Sequence, residues 1–294
     1  MARSHPPTLL KVAQRTLTEE CGVGRGNRIL VATSGGPDSN ALLHVLALVG
    51  KRLGVGVVAG GIDHGLRAEA GGELDLAERL AGQHGIRFLR ARVSVAAGGN
   101  LQARARDARF EALRAMATAE GADSIATAHH ADDRAETVLL RLMRGAGPRG
   151  LAVLPPRSGD LVRPLIRARR SDVQRHLSRH RLPFALDPSN EDRRFARVRV
   201  RLEVLPLLEN MSPGIVGHLN ALADQLDRDE SLPLVTDPDG NPVPLGRAQI
   251  DAIRRARSRR THARIRLSGG WEVAVEAKSG ELRLVRAGTG VDSG

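Results

Sequence analysis

Short unbroken apolar runs alternate with stretches of helical periodicity through most of this chain. The runs at 28–33 and 55–62 are continuous rather than alternating, as in strands buried on both faces of a parallel sheet. A weakly alternating run at 86–93 and the run Ser124-Ile125-Ala126-Thr127-Ala128 predict a third and a fourth strand. Between them, Asn40-Ala41-Leu42-Leu43-His44-Val45-Leu46 opens a helix, and an Ala-, Glu- and Leu-rich segment runs helically to about His84, with Gly85 as its stop. Gly98-Gly99-Asn100 predicts a turn, with Asn100 capping a long helix through Arg104, Arg106, Arg109 and Arg114 to Gly121. Strands alternating with helices at this spacing imply right-handed crossovers, hence an α/β fold with a parallel sheet between helix layers. Ligands in such sheets sit at the carboxyl ends of strands. Three of those ends carry polar clusters, at 34–39, 63–67 and 129–136.

After residue 145 the pattern changes. A glycine-rich loop, Gly145-Ala146-Gly147-Pro148-Arg149-Gly150-Leu151, leads to Pro155-Pro156 through a segment expected to be irregular. Residues 161–166 predict a short edge strand, because Pro164 has no N–H to give a central ladder. Ser171-Asp172-Val173-Gln174 has capping-box spacing and starts a helix to about Arg181; Asp187-Pro188-Ser189-Asn190 reads as a turn, and helices follow near 195–208 and 214–229. Pro233, Pro238, Asp239, Gly240, Pro242 and Pro244 mark a linker. The rest predicts a helix near 247–257 and hairpin strands turning at Gly269-Gly270 and Ser279-Gly280, with a disordered tail at 288–294. The expected organisation is a catalytic α/β domain over 1–210, a helix and Pro-rich linker over 211–245, and a small basic α+β domain over 246–294 that contacts nucleic acid.

The richest chemistry lies at Ser34-Gly35-Gly36-Pro37-Asp38-Ser39, between the first strand and its helix. A strand that feeds a glycine pair straight into a helix start leaves backbone N–H groups unpaired where the helix dipole adds positive charge, so anions settle there. Gly35 and Gly36 let the backbone approach phosphate oxygens, Ser34 and Ser39 add hydroxyls, and Pro37 occupies a first-turn position whose N–H would be unsatisfied anyway. Asp38 beside phosphates is repulsive unless a cation intervenes, which implies Mg²⁺ shared with the phosphate oxygens. No Gly-Lys-Ser/Thr follows, so this is not a Walker A loop, and the glycine spacing is not the dinucleotide fingerprint. The segment resembles the PP-loop of the ATP pyrophosphatases, which cleave ATP between its α and β phosphates; that resemblance implies AMP transfer.

Composition adds a partner. Lysine and arginine number 45 against 33 acidic residues, for a formal charge of +12, and nearly all of the basic side chains are arginine. Such a field draws polyanions, so RNA or DNA is expected, unless the arginines only solvate the surface. Two per cent aromatic residues and no tyrosine argue against base-stacking platforms, and contact with phosphates and shape is expected. The lone Cys21 allows no disulfide framework, zinc knuckle or Cys-x-x-Cys site. With no apolar leader or spanning segment, a cytoplasmic protein without membrane contact is expected.

The second constellation is His129-His130-Ala131-Asp132-Asp133-Arg134-Ala135-Glu136-Thr137, opening the helix after strand four. Helical spacing groups His129, Asp133, Glu136 and Thr137 on one side, with Asp132 at the mouth. So many carboxylates require a counter-charge: Mg²⁺, the ammonium of a substrate, or neighbouring arginines. Side-by-side histidines with no histidine at i+4 from a glutamate do not make a zinc-protease site.

Taken in order, Ser-Gly-Gly-Pro-Asp-Ser, Asp-His-Gly-Leu-Arg, Ala-Arg-Asp-Ala-Arg-Phe, the His129–Thr137 segment with Arg144-Gly145-Ala146-Gly147-Pro148-Arg149-Gly150-Leu151, Arg-Pro-Leu-Ile and Asp-Pro-Ser-Asn resemble the bacterial tRNA(Ile)-lysidine synthetases over about residues 28–210. That family uses ATP to join L-lysine to the wobble cytidine of a tRNA(Ile) with a CAU anticodon. The resemblance implies ATP binding at residues 34–39 and Mg²⁺ on Asp38. It implies catalytic roles for Asp38, Arg106, Asp133 and Glu136, and lysine or cytidine contacts from His129, Asp132, Asp133 and Glu136. Arg109, Arg144 and Arg149 would meet tRNA, although Arg109 equally suits a helix surface. It also implies a homodimer. Two departures stand out: Val198, in Arg197-Val198-Arg199-Val200-Arg201, replaces an asparagine common in the family, and residues 251–286 resemble its first accessory domain only weakly. The alternatives are a PP-loop tRNA thiolase, disfavoured by the single cysteine, and a catalytically idle tRNA-binding protein.

Overall fold

The computed structural model describes residues 7–63, 70–93, 101–185, 191–228, 235–237, 242–267 and 270–286. The expected polar residues 64–67, the Gly98-Gly99-Asn100 cap, the Asp187–Asn190 turn, Pro233, Pro238, Gly269 and the 288–294 tail lie outside these residues. The chain divides into two compact units, one of Met1–Asp132 with Pro156–Asp192, the other of Asp133–Pro155 with Arg193–Gly294.

In the first unit, β1 (Arg28–Thr33), β2 (Gly56–Asp63), β3 (Phe88–Arg92) and β4 (Ser124–Ala126) are parallel, in the order β3-β2-β1-β4, and β6 (Leu161–Val162) and β5 (Arg157–Ser158) extend the sheet beyond β4. Period-two alternation sorts the side chains of β1. Ile29 and Val31 join one layer with Leu9, Leu42, Leu46, Val173 and Leu177, while Leu30 joins the other with Phe110, Leu113 and Ile125. The first layer is built from α1 (Leu9–Arg15), α2 (Pro37–Leu53) and α7 (Arg170–His180), and α4 (Leu101–Ala119) covers the opposite face. Each fully buried leucine contributes about 1.5–3 kcal/mol relative to exposure. Close packing asks for glycine in β2: a Cβ on Gly61 would stand 2.7 Å from Leu74 of α3 (Ala70–Gln83).

Three departures from the sequence reading have local causes. Leu161–Val162 is not an edge strand, because β5 pairs antiparallel with its free side and Pro164 falls beyond the strand, in a turn closed by Ile166 N–H donating to the Arg163 carbonyl at 3.1 Å. Helix α7 starts two residues earlier than the capping-box spacing suggests: its N-cap is Arg169, whose backbone N–H donates to the Asp172 carboxylate at 3.0 Å. Helix α1, the π turn Thr16–Glu20 that continues it, and β5 are 7, 5 and 2 residues long, too short for their periodicity to predict them.

In the second unit, α5 (Ala131–Met143, whose first two residues belong to the first unit) buries Val138 against Leu151, Val153 and Ala223. Leu151 ends the short helix α6 (Pro148–Leu151), in a segment expected to be irregular, and Ala223 lies on α10 (Ile215–Arg228). The run from α8 (Ala196–Arg199) to α9 (Leu205–Met211) passes through a π turn at Val200–Val204. Helix α11 (Arg247–Arg259) packs Ile250, Ile253 and Ala256 on Val273 and Val275 of the antiparallel sheet β7 (Ala263–Arg266), β8 (Trp271–Val275) and β9 (Leu282–Arg286).

Candidate functional site

The turn between β1 and α2 is built as an anion cradle. Gly35 has φ +78, and a Cβ there would lie 2.0 Å from the Glu73 carbonyl oxygen, so both backbone shape and space require glycine. Gly36 caps α2 in an extended conformation, Pro37 takes the first helical position, and Asp38 lies in the first turn. The hydroxyls brace the turn. Ser39 Oγ donates to the Gly36 carbonyl at 3.0 Å and accepts from Ser34 N–H at 3.2 Å, with Ser34 Oγ 3.3 Å away. Thr33 Oγ1 donates to the Gly60 carbonyl at 3.1 Å, fixing the strand end from which the loop springs. Asp38 keeps its side chain 36% exposed, and its Oδ2 stands 3.8 Å from Nε2 of the buried His130.

His129 and His130 precede α5 rather than share its face, since that helix begins at Ala131. His129 Nδ1 lies 2.9 Å from Thr127 Oγ1. Asp132 is engaged inside the first unit: Arg169 Nε and Nη2 donate to its carboxylate at 3.2–3.3 Å, and the backbone N–H of Arg170 donates to Oδ2 at 2.7 Å. Its charge and α7's N-terminus therefore hold each other.

In the second unit, Asp133 and Glu136 meet two arginines. Glu136, 1% exposed, accepts from Arg197 Nε at 2.7 Å and from Arg201 Nε and Nη2 at 2.7 and 3.2 Å. Arg197 Nη2 also donates to Asp133 Oδ1 at 3.0 Å. Of the three counter-charges open from the sequence, arginine fills the role. Two carboxylates at i,i+3 on α5 face two arginines at i,i+4 across α8 and the π turn, so each carboxylate loses water and gains charged donors. Arg197 is 42% exposed and Arg201 18%, so Arg197 is the partner that solvent reaches more easily. Arg197 and Arg201 were not among the expected site residues; their four-residue spacing was the signal. Val198, between them, is buried.

Arg106, expected to be catalytic, and the three arginines expected to meet tRNA fall in different settings. Arg106 is exposed, 4.9 Å from the Phe110 ring centroid, with Arg109 5.2 Å from the same ring. Burial, and then the Arg106 charge, lower the Arg109 pKa. Arg144 is exposed just past α5. Arg149, expected to meet tRNA, is buried, and its Nη1 donates to the carbonyls of Leu226 and Asp227 at 3.4 and 3.2 Å, which helps satisfy the end of α10. Cys21 is buried, and burial pushes its thiol up to about 11, which suppresses thiolate chemistry. Among the described residues no helix is long and apolar enough to cross a membrane, and no group of three or more His, Cys, Asp or Glu side chains could by itself hold a metal ion.

A family model described as the PP-loop domain matches residues 9–208. The chain is 42% identical over 227 residues to a tRNA(Ile)-lysidine synthase of Ralstonia nicotianae, covering 74% of this chain and 47% of that protein. It is also 34% identical over 281 residues to the synthase of Geobacter sulfurreducens, covering 92% of this chain and 56% of that one. The chain thus spans about half the length of the curated relatives it matches. In fold it is similar to the U34-tRNA thiolase NcsA of Methanococcus maripaludis, with a TM-score of 0.64 at 16% identity over 78% of this chain and 82% of that one.

Proposed function

The chain belongs to the PP-loop domain family, and from that premise we propose that it makes lysidine: it joins L-lysine to C2 of the wobble cytidine of tRNA(Ile) with a CAU anticodon, converting ATP to AMP and pyrophosphate. The observation that carries this reading is the glycine-only turn at Gly35, opening α2 beside the exposed carboxylate of Asp38. Backbone N–H groups at the start of α2 receive the phosphates and stabilise the charge that develops on the leaving pyrophosphate. Asp38 suits Mg²⁺, which commonly takes one or two carboxylates together with waters and phosphate oxygens and does not need a protein cage. When bound, the ion supplies positive charge to the phosphates.

In the proposed sequence the C2 carbonyl oxygen of cytosine attacks the α-phosphorus and pyrophosphate leaves. The neutral ε-amine of lysine then attacks C2, loses a proton, and expels AMP, which carries away the former carbonyl oxygen. Asp133 and Glu136 hold the lysine ammonium or help deprotonate its ε-amine. The incoming cation competes with half-exposed Arg197, while Arg201 keeps the buried Glu136 charge compensated. His129 and Asp132 contact the substrate, Arg106 acts near the target base or phosphates, and Arg109 and Arg144 meet the tRNA. Arg149 acts within the fold. We assign a cytoplasmic site of action and a homodimer on the same basis.

A sulfur-transfer reading gains no support from Cys21, with its raised thiol pKa. Incubation of the protein with a tRNA(Ile) transcript bearing CAU, ATP, Mg²⁺ and labelled lysine tests the proposal. Label enters the RNA with lysine-dependent AMP release. ATP consumption without label would favour sulfur transfer, and tRNA retention without ATP cleavage would favour a binding protein.

A further inference from the structure

We infer that Asn40 is a positioning residue for the phosphate loop, acting through a strap formed by residues 182–185; the inference rests on the ATP-binding reading of that loop. Asn40 lies in the first turns of α2, fully buried, and its Nδ2 donates to the Pro183 carbonyl at 2.8 Å. The same strap returns a bond to the loop: Ala185 N–H donates to the carbonyl of Gly35 at 3.0 Å. That bond reaches the residue whose positive φ shapes the cradle, so the strap and the loop move as one piece.

The strap is itself anchored. Helix α7 ends at Arg181 in the left-handed conformation, with Leu182 N–H donating to the Leu177 carbonyl at 3.0 Å. One turn beyond Asn40, on the same face of α2, His44 Nδ1 lies 3.0 Å from His176 Nε2 of α7. Asn40 and His44 thus clamp α7 and its exit against α2. Asn40 Oδ1 has no partner among the described residues, so the donor half of the amide is the half in use. A buried amide with one end unspent is a cost to stability that a purely apolar residue would avoid. What the donor provides is a fixed path for the chain beside Gly35.

The test is ATP–Mg²⁺ binding by calorimetry, at pH 7.5 and 5.5, for the full chain and two variants, each compared with wild type at the same pH. Asn40→Leu keeps the branched outline of the side chain and loses the donor; its dissociation constant rises about tenfold at both pH values, the size of one lost hydrogen bond. Asn40→Asp is near-isosteric and donates only when protonated. It therefore binds about tenfold more weakly at pH 7.5 and recovers toward wild type at pH 5.5, a recovery that a general loss of packing would not give. Wild-type affinity in Asn40→Leu, or equal weakening of Asn40→Asp at both pH values, overturns the inference. Wild-type amide exchange decides the matter without variants: ATP slows exchange of Ala185 N–H if loop and strap are one unit, and an unchanged rate overturns it. Wild type that binds no ATP contradicts the loop reading itself, and this inference with it.

Discussion

Arg201 Nε lies 2.7 Å from Oε1 of Glu136, a carboxylate only 1% exposed, so the charge at the heart of the second unit is compensated before any substrate arrives. Breaking one side of a buried pair strands the other charge. Arg201→Met is expected to cost about 3 kcal/mol in a urea unfolding titration. Arg197→Met, at the half-exposed partner, costs about 1 kcal/mol or less. In the double variant Arg201→Met with Glu136→Leu much of the stability returns, while lysine transfer stays lost.

Gly35 tests the cradle. Gly35→Ala places a Cβ against the backbone of Glu73 at a positive φ, so ATP affinity should be lost in a binding titration and stability should fall by about 2 kcal/mol or more. ATP binding at wild-type strength would remove the loop from the account.

Asp38→Asn keeps the shape of the first turn of α2 and removes its charge. Turnover is expected to fall at least about a hundredfold while tRNA binding, measured by filter retention, is unchanged. Unchanged turnover would refute the metal role.

The histidines joining α2 to α7 set the acid limit of the first unit. Burial first, then the neighbouring charge of His180, push His44 and His176 down to about 4. His84 lowers His44 further and Arg179 lowers His176, while Lys51 lowers His84. Below the ordinary histidine value of about 6.5 the unfolded chain takes up protons that the folded one refuses, so stability present above that value declines as pH falls toward 4. The melting temperature should drop by several degrees between pH 7.5 and 5, and the drop should shrink in His44→Gln. A flat profile in the wild type would contradict this assignment.

The β1–α2 crossover was legible because its signals are local: a continuous apolar run, a glycine pair and Pro37 lie within a dozen positions. The π turn at Thr16–Glu20 and the two-residue strand β5 were not, since neither has a periodicity long enough to register. The acidic pair on α5 was legible as a need for countercharge, but not its solution. Arg197 and Arg201 come some sixty positions later, and only the fold joins them to Glu136. The setting of Arg149 was not legible for the converse reason: its glycine-rich surroundings predict an irregular segment, whereas the turn folds into α6 and buries the guanidinium against the end of α10.

The central claim is that the cytidine oxygen attacks the inner phosphorus of ATP. It is tested most directly with a tRNA(Ile) whose wobble cytidine carries oxygen-18 at C2, turned over with lysine, ATP and Mg²⁺, and the nucleotide product weighed by mass spectrometry. The account predicts AMP heavier by one oxygen-18 and a lysidine free of it; AMP of ordinary mass, or ADP as the product, would contradict it.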